Sequence, residues 1–240
     1  MLKLNIVKEV HSEPFVVFAS LPDMGRVGGL TSTFLASQFD AELVASIASV
    51  EKPWVSVKDG LVANVIDTYN IYYSDTQKLL IFSGNNQPED PRELFGLCTT
   101  FLDYCMSIGR ITRLYTAGGS FNEQLTEEPR VVAVATTATL RELLLKFRIN
   151  VIGNEISTIT WFNGLILGMA AQRNIEAIGF YGEISNKTIP QPLAAKSIVK
   201  VFGRIEGMNI DIKPFDRQYE EVLDNLEKRK GINESRPGIG

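Results

Sequence analysis

The chain has 240 residues, 45% of them hydrophobic and 22% charged, with a formal net charge of −4 at pH 7. These are the proportions of one ordinary globular domain, and the acidic balance excludes a general attraction to nucleic acid or to anionic membranes. No apolar run approaches the ~20 residues of a membrane span, and the amino-terminal "MLKLNIVKEV" alternates like a strand without a signal-peptide core, which points to a cytoplasmic protein.

Strands are expected at about residues 3–10 and 14–20. Between them "EVHSEP" carries His11, the single histidine, and reads as a solvated turn. A Ser-His-Asp or Cys-His triad would need that residue. The second strand runs into "LPDMGRVGGL" and then "TSTFLASQF", a glycine-rich turn opening a helix that extends to about Phe39. A helix N-terminus preceded by glycines is suited to an anion, and Arg26 adds positive charge. Yet the G-x-x-G-G spacing of Gly25, Gly28 and Gly29 matches neither the dinucleotide fingerprint nor the P-loop. Asp23, placed as an N-cap for a helix beginning near Gly25, would itself take the amides that a phosphate needs. The residues leave both readings open, a capped strand-to-helix turn or an anion site.

Further along, "AELVASIASV" and "NIYYS" are expected as strands, with "VKDGLVAN" turning at Asp59-Gly60, and "KLLIFSG" as a buried parallel strand. "DPRELFGLCTTFLDYCM" opens with Asp90 as N-cap, Pro91 at the first helical position and Glu93 at the third, predicting a helix over about 91–107. Its apolar stripe of Leu94, Leu97, Cys98, Phe101, Leu102 and Cys105 makes both cysteines core residues. Seven residues apart on one helix, they stand about 10 Å apart along the axis and cannot pair. One histidine and two helix-locked thiols make a poor zinc site, and no metal or cofactor is expected. "RITRLYTAGG" and "RVVAVATT" read as strands, 138–147 as a short helix, "WFNGLILGMAAQRN" as a buried helix and "IEAIGFYGEI" as another strand. "LAAKSIVKVFGRI" and "PFDRQYEEVLDNLEKRK" are amphipathic. In the last, Phe215, Tyr219, Val222, Leu223 and Leu226 share one face, so the helix at about 215–229 must cover this subunit or a neighbour, followed by a loose tail over 231–240.

Strands alternating with helices imply one α/β domain over 1–240, a three-layer sandwich with a largely parallel or mixed central sheet. In open α/β sheets ligand sites gather at the carboxyl ends of strands. A candidate pocket therefore lies where Asp23 and Arg26, Gly118-Gly119-Ser120 and Asn163 converge, with Glu183 near it. Asp23, Glu155 and Glu183 all stand beside glycine turns, where a carboxylate commonly caps backbone amides, and Asn163 at a helix start reads as a cap or as an oxyanion donor.

Four stretches taken together, "LPDMGRVGGL", "TAGGS", "TWFNGLILGMA" and "FYGEISNKTIPQPLAAKSIVKVFGRIEGMNID", resemble the archaeal and bacterial relatives of the eukaryotic proteasome assembly chaperone two. The first is similar to the family's G-x-P-D-x-G-x-V-G turn through Pro22, Asp23, Gly25, Val27 and Gly28, with Ser20 where glycine is usual. The third resembles I-T-G-L-N-G-L-L-L-G through Thr160, Asn163, Gly164, Leu165, Leu167 and Gly168. Gly182, Glu183, Pro190, Pro192, Ala194 and Ala195 fit G-E-…-P-x-P-x-A-A. The resemblance spans about residues 15–225. It implies a phosphorylase/hydrolase-like sandwich, homo-oligomeric assembly and binding of proteasome α-subunits without catalysis. Such chaperones often dock through a hydrophobic-tyrosine-any C-terminus. This chain ends "GINESRPGIG", with Tyr219 inside an expected helix, so that docking mode is not expected. The rival expectation is a phosphorylase/hydrolase-like or ATP-grasp-related enzyme acting on a small phosphorylated or nucleoside-like ligand through Asp23, Glu155 and Glu183.

Overall fold

A computed structural model describes residues 2–11, 14–49, 55–123, 128–153 and 156–234, with side chains as far as Lys228. The amino-terminal alternation forms β1 (Leu2–Ile6), shorter than its pattern, and the apolar run after it forms β2 (Phe15–Ala19). A 3-10 turn at Met24–Arg26 leads into α1 (Val27–Gln38). The helix starts two residues later than Gly25, because Gly25 and Arg26 both adopt left-handed backbone, at φ 64° and 55°.

β3 (Glu42–Ser49) and β6 (Asp67–Ser74) pair antiparallel. The chain between them builds a separate ribbon, β4 (Val55–Lys58) and β5 (Leu61–Asn64). Asp59 and Gly60 have φ of 51° and 78°, the left-handed pair that a two-residue hairpin turn requires. The apolar run that follows is β7 (Leu79–Gly84). α2 (Pro91–Ile108) begins as its sequence dictates, Asp90 Oδ1 accepting from the amides of Arg92 and Glu93 at 2.6 and 3.4 Å. Next come β8 (Ile111–Phe121), β9 (Val131–Ala135) and α3 (Ala138–Lys146), whose amide at Leu140 is capped by Thr137 Oγ1 at 3.2 Å. The chain continues with β10 (Asn150–Val151), α4 (Trp161–Gln172), β11 (Ala177–Ile184), α5 (Pro192–Glu206) and α6 (Pro214–Glu234). α6 thus runs past the expected end near 229, and residues 235–240 of the expected tail lie outside the described residues.

Among the described residues nine strands form one sheet in the order β1-β3-β6-β7-β2-β8-β11-β9-β10. The centre, β7-β2-β8-β11, is parallel. The wing β1-β3-β6-β7 is antiparallel, and β9 runs against β11 on the other side, so the sheet is mixed. α2 and α4 cover one face, where Phe82 packs on Phe101 and Phe162 with ring centroids 4.4 and 5.1 Å away. α1, α3, α5 and the start of α6 cover the other, around Phe18, Tyr115, Phe180 and Phe202. Each fully buried ring contributes about 2–3 kcal/mol by leaving water, and the two faces make this a three-layer α/β sandwich. Cys98 and Cys105 lie in the first core as free thiols; burial pushes Cys98 up to about 12 and Cys105 well above its ordinary value, so neither is a ready nucleophile.

Register places the ends of β2, β3, β7, β8 and β11 on one carboxyl edge, through Ser49 opposite Asp67, Tyr69 opposite Gly84, Ala19 opposite Phe82 and Ile184 opposite Phe121. Among the described residues no helix is long and apolar enough to cross a membrane.

Candidate functional site

The turn after β2 is held by Asp23 in a way that its sequence position does not announce. Its Oδ1 accepts from the Gly28 amide at 2.9 Å, in the first turn of α1, and its Oδ2 accepts from the Gly119 amide at 2.6 Å, on β8. The carboxylate is therefore a cap and a clamp at once, joining the start of α1 to a strand 96 residues away. Its oxygens point inward, and burial pushes the Asp23 carboxyl up to about 6, although the bonds from Gly28 and Gly119 favour the charged form. The two amides that converge here, one from α1 and one from β8, are therefore already occupied.

Small residues make this approach possible. A methyl group on Gly28 would stand 2.5 Å from the Leu21 carbonyl oxygen and 2.6 Å from that of Ala117. One on Gly119 would stand 2.5 Å from the Met24 carbonyl oxygen. The "TAGGS" stretch is a passage for the neighbouring turn rather than a phosphate loop.

Asn163, the third expected element, sits buried in the first turn of α4 but is not its cap, since Thr160 occupies that position. Its Oδ1 accepts from the Leu21 amide at 3.3 Å and its Nδ2 donates to the Leu21 carbonyl at 3.4 Å, so the side chain pairs with β2's continuation as a strand would. Gln87 supports the same junction: its Nε2 donates to the Pro22 carbonyl at 2.7 Å, and its Oε1 accepts from the Phe162 amide at 2.9 Å. Sequence reasoning missed Gln87. It lies in a loop without a motif, and only the fold sets it beside Pro22.

These groups surround a cavity of about 470 Å³ at the carboxyl edge, lined by Asp23, Gly119, Ser120 and Asn163 together with Met24, Gln87, Phe121, Ile152, Ile156, Thr158, Ile159, Thr160, Trp161 and Tyr181. Four expected residues thus meet there, and Gly118 lies beside them, its Cβ position 2.8 Å from Asp23 Oδ2. Two others do not. Arg26 is exposed and faces a separate groove between α1 and α6, with Pro22, Leu30 and Gln218. Glu183 is buried away from the cavity, where its carboxylate accepts from Arg130 Nε at 3.0 Å and Asn122 Nδ2 at 3.0 Å. Burial opposes its ionisation, yet the bonds from Arg130 and Asn122 hold Glu183 below the usual carboxylate range. Glu155 lies outside the described residues, and His11 is an exposed loop residue.

The cavity wall is mostly apolar. Phe121, Ile156, Trp161 and Met24 at its mouth are 42%, 41%, 49% and 41% exposed, Trp161 with left-handed backbone at φ 60°. Lys187 stands over the Phe121 ring, 4.4 Å from its centroid. Tyr181, against the sheet, has a hydroxyl buried beside Thr116 with no well-formed hydrogen bond among the described residues, and burial raises it far above the ordinary phenol value. Among the described residues Asp23 is the only carboxylate in the lining. Such a wall fits an apolar group.

Comparison with known proteins gives a consistent result. The model of the PAC2 family matches residues 17–230. The chain is 24% identical over 238 residues to the uncharacterized protein MJ1210 of Methanocaldococcus jannaschii, covering 98% of this chain and 91% of that one. Its fold is similar to Pyrococcus furiosus PbaB, an archaeal proteasome activator, with a TM-score of 0.79 and 24% identity over 95% of this chain and 98% of that one. It is also similar to Pyrococcus furiosus PbaA, an archaeal homolog of proteasome-assembly chaperone, with a TM-score of 0.75 and 18% identity over 98% and 100% of the two chains.

Proposed function

The chain belongs to the PAC2 family, and on that premise we propose that it is a non-enzymatic, cytoplasmic proteasome assembly chaperone-like protein that binds proteasome α-subunits as a homo-oligomer. The observation that carries the reading is the state of the polar groups around the carboxyl-edge cavity. Asp23 holds Gly28 and Gly119, Asn163 holds Leu21, and Gln87 holds Pro22 and Phe162. These side chains build a rigid shape, and a catalyst needs at least one poised on a substrate atom.

Unsatisfied apolar surface supports the oligomeric part. On α6 only Phe215 is buried from the expected apolar face, while Tyr219 and Leu223 are 38% and 42% exposed and Val222 and Leu226 half-buried. A helix stripe left this bare by its own chain calls for a partner surface.

Capture of the host's proteasome α-subunits by the tagged full chain, read beside its mass in solution, tests the proposal. Failure to capture any α-subunit sinks the chaperone reading. One observation favours the rival enzyme: a carboxyl pushed to about 6 in a cavity is the kind of group that active sites employ. A thermal-shift screen with nucleotides and inorganic phosphate separates the two, since a stabilising nucleotide without α-subunit capture supports the enzyme.

A further inference from the structure

We propose that the β4–β5 arm of one copy seats in the Asp23 cavity of a second copy. This rests on the homo-oligomeric part of the reading above and names its contact.

All eight strand residues of the arm are exposed, so among the described residues it buries little against its own chain. An isolated two-stranded hairpin is marginally stable in water, and this one is apolar. Val57 faces Val62 across the strands, and Val55 shares their side; these three are 67%, 67% and 49% exposed. Leu61, at the turn, is 75% exposed. Apolar side chains clustered on a projecting arm mark a contact surface.

The arm continues β3 and β6 beyond Ser49 and Asp67, and those residues lie on the carboxyl edge, where the cavity also opens. From β6 to β8 is three strand steps, about 14 Å along the sheet. Among the described residues the lining of the cavity includes none from the arm. A second copy facing the same edge supplies an arm to this cavity and a cavity to this arm, either reciprocally or head to tail around a ring.

The charges match as well. The cavity carries the ammonium of Lys187 at its mouth, over the Phe121 ring. The arm's turn carries one charge of each sign, Lys58 and Asp59, next to Leu61. Entering tip first, with Leu61 on one side of the ribbon and the valines on the other, the arm meets the apolar mouth formed by Phe121, Ile156 and Trp161, with Asp59 at its turn toward Lys187. One chain carries both halves of the match, which favours a second copy over a different protein.

The test combines mass in solution with a mixed cross-link. The native protein is expected at a multiple of 26.6 kDa, and Leu61→Asp at the single-chain mass with its circular dichroism spectrum unchanged. Because Cys98 and Cys105 are buried, a Val62→Cys variant mixed with a Phe121→Cys variant is expected to give an oxidised dimer band that neither gives alone. A native protein of single-chain mass overturns the inference and the homo-oligomer, leaving α-subunit capture to stand or fall separately. A native oligomer whose mass survives Leu61→Asp, with no mixed band, overturns the arm alone. Loss of α-subunit capture by Leu61→Asp at unchanged mass also overturns it, because the arm then serves another protein.

Discussion

The β2–α1 turn and the β4–β5 arm rise from the same edge of one sheet and solve opposite problems. At the turn, Asp23 points inward onto two amides, and Asn163 of α4 reaches both backbone groups of Leu21. In the arm, apolar side chains point outward and are unsatisfied, Leu61 most of all. The turn is fixed by its own chain, and the arm is left for another. Stability and recognition are therefore separable here, and substitutions should divide along that line.

The harshest test of the turn is Gly28→Ala, whose methyl would meet two carbonyl oxygens inside 3 Å with only backbone to move. It should cost about 3 kcal/mol by urea unfolding, at the upper end of overpacking effects. An unchanged midpoint would mean that the junction of β2, α1 and β8 is looser than described. Next, Asp23→Ala strands the amides of Gly28 and Gly119 and should cost about 2 kcal/mol near pH 5.

That cost should depend on pH in a defined sense. The Asp23 carboxyl is raised on folding from 3.8 to about 6, so the folded state holds a proton that the unfolded chain has released. The stability this contributes is fully present below 3.8, is lost as pH rises through 6, and amounts to at most about 3 kcal/mol before solvent screening. Asp23→Ala should flatten this part of the stability profile, and a profile with the same slope in both proteins would refute the assignment. On the outward side, Leu226→Asp on the half-buried stripe of α6 should lower stability by about 1 kcal/mol or reduce the oligomer mass in sedimentation. The smallest effect on folding belongs to the arm: Val57→Asp should leave the unfolding free energy of the isolated subunit within about 0.5 kcal/mol of the parent. A large loss there would show that the arm braces its own sheet.

Local chemistry made much of this molecule legible in the sequence. Asp90 and Pro91 fixed the start of α2, the stripe through Cys98 and Cys105 fixed its buried face, and the unbroken apolar run of residues 79–82 marked an interior strand. Asp23, Gly119, Ser120 and Asn163 were expected to converge because strands in such sheets deliver their ends to one edge, and they do. What stayed hidden depends on long-range partners. Arg26 faces the α1–α6 groove because its backbone is left-handed, and Glu183 turns to Arg130, 53 residues earlier. Gln87 and Tyr181 carry no motif at all, and β10 is two residues long. Asn163 looked like a helix-end residue because position along a helix is local, whereas its pairing with Leu21 spans 142 residues.

The Asp23 clamp also bears on the order of folding. β3, β6 and β7 are joined by near neighbours in sequence, while the bond from Gly119 to Asp23 closes a loop of 96 residues. Closing that loop costs entropy before any contact returns it, and the carboxylate can only be placed once β2 and β8 already lie side by side. The clamp should then form on the native side of the folding barrier. In a chevron plot, Asp23→Ala should accelerate unfolding and leave the refolding limb nearly untouched, making this one carboxylate a brake on how fast the native sheet comes apart.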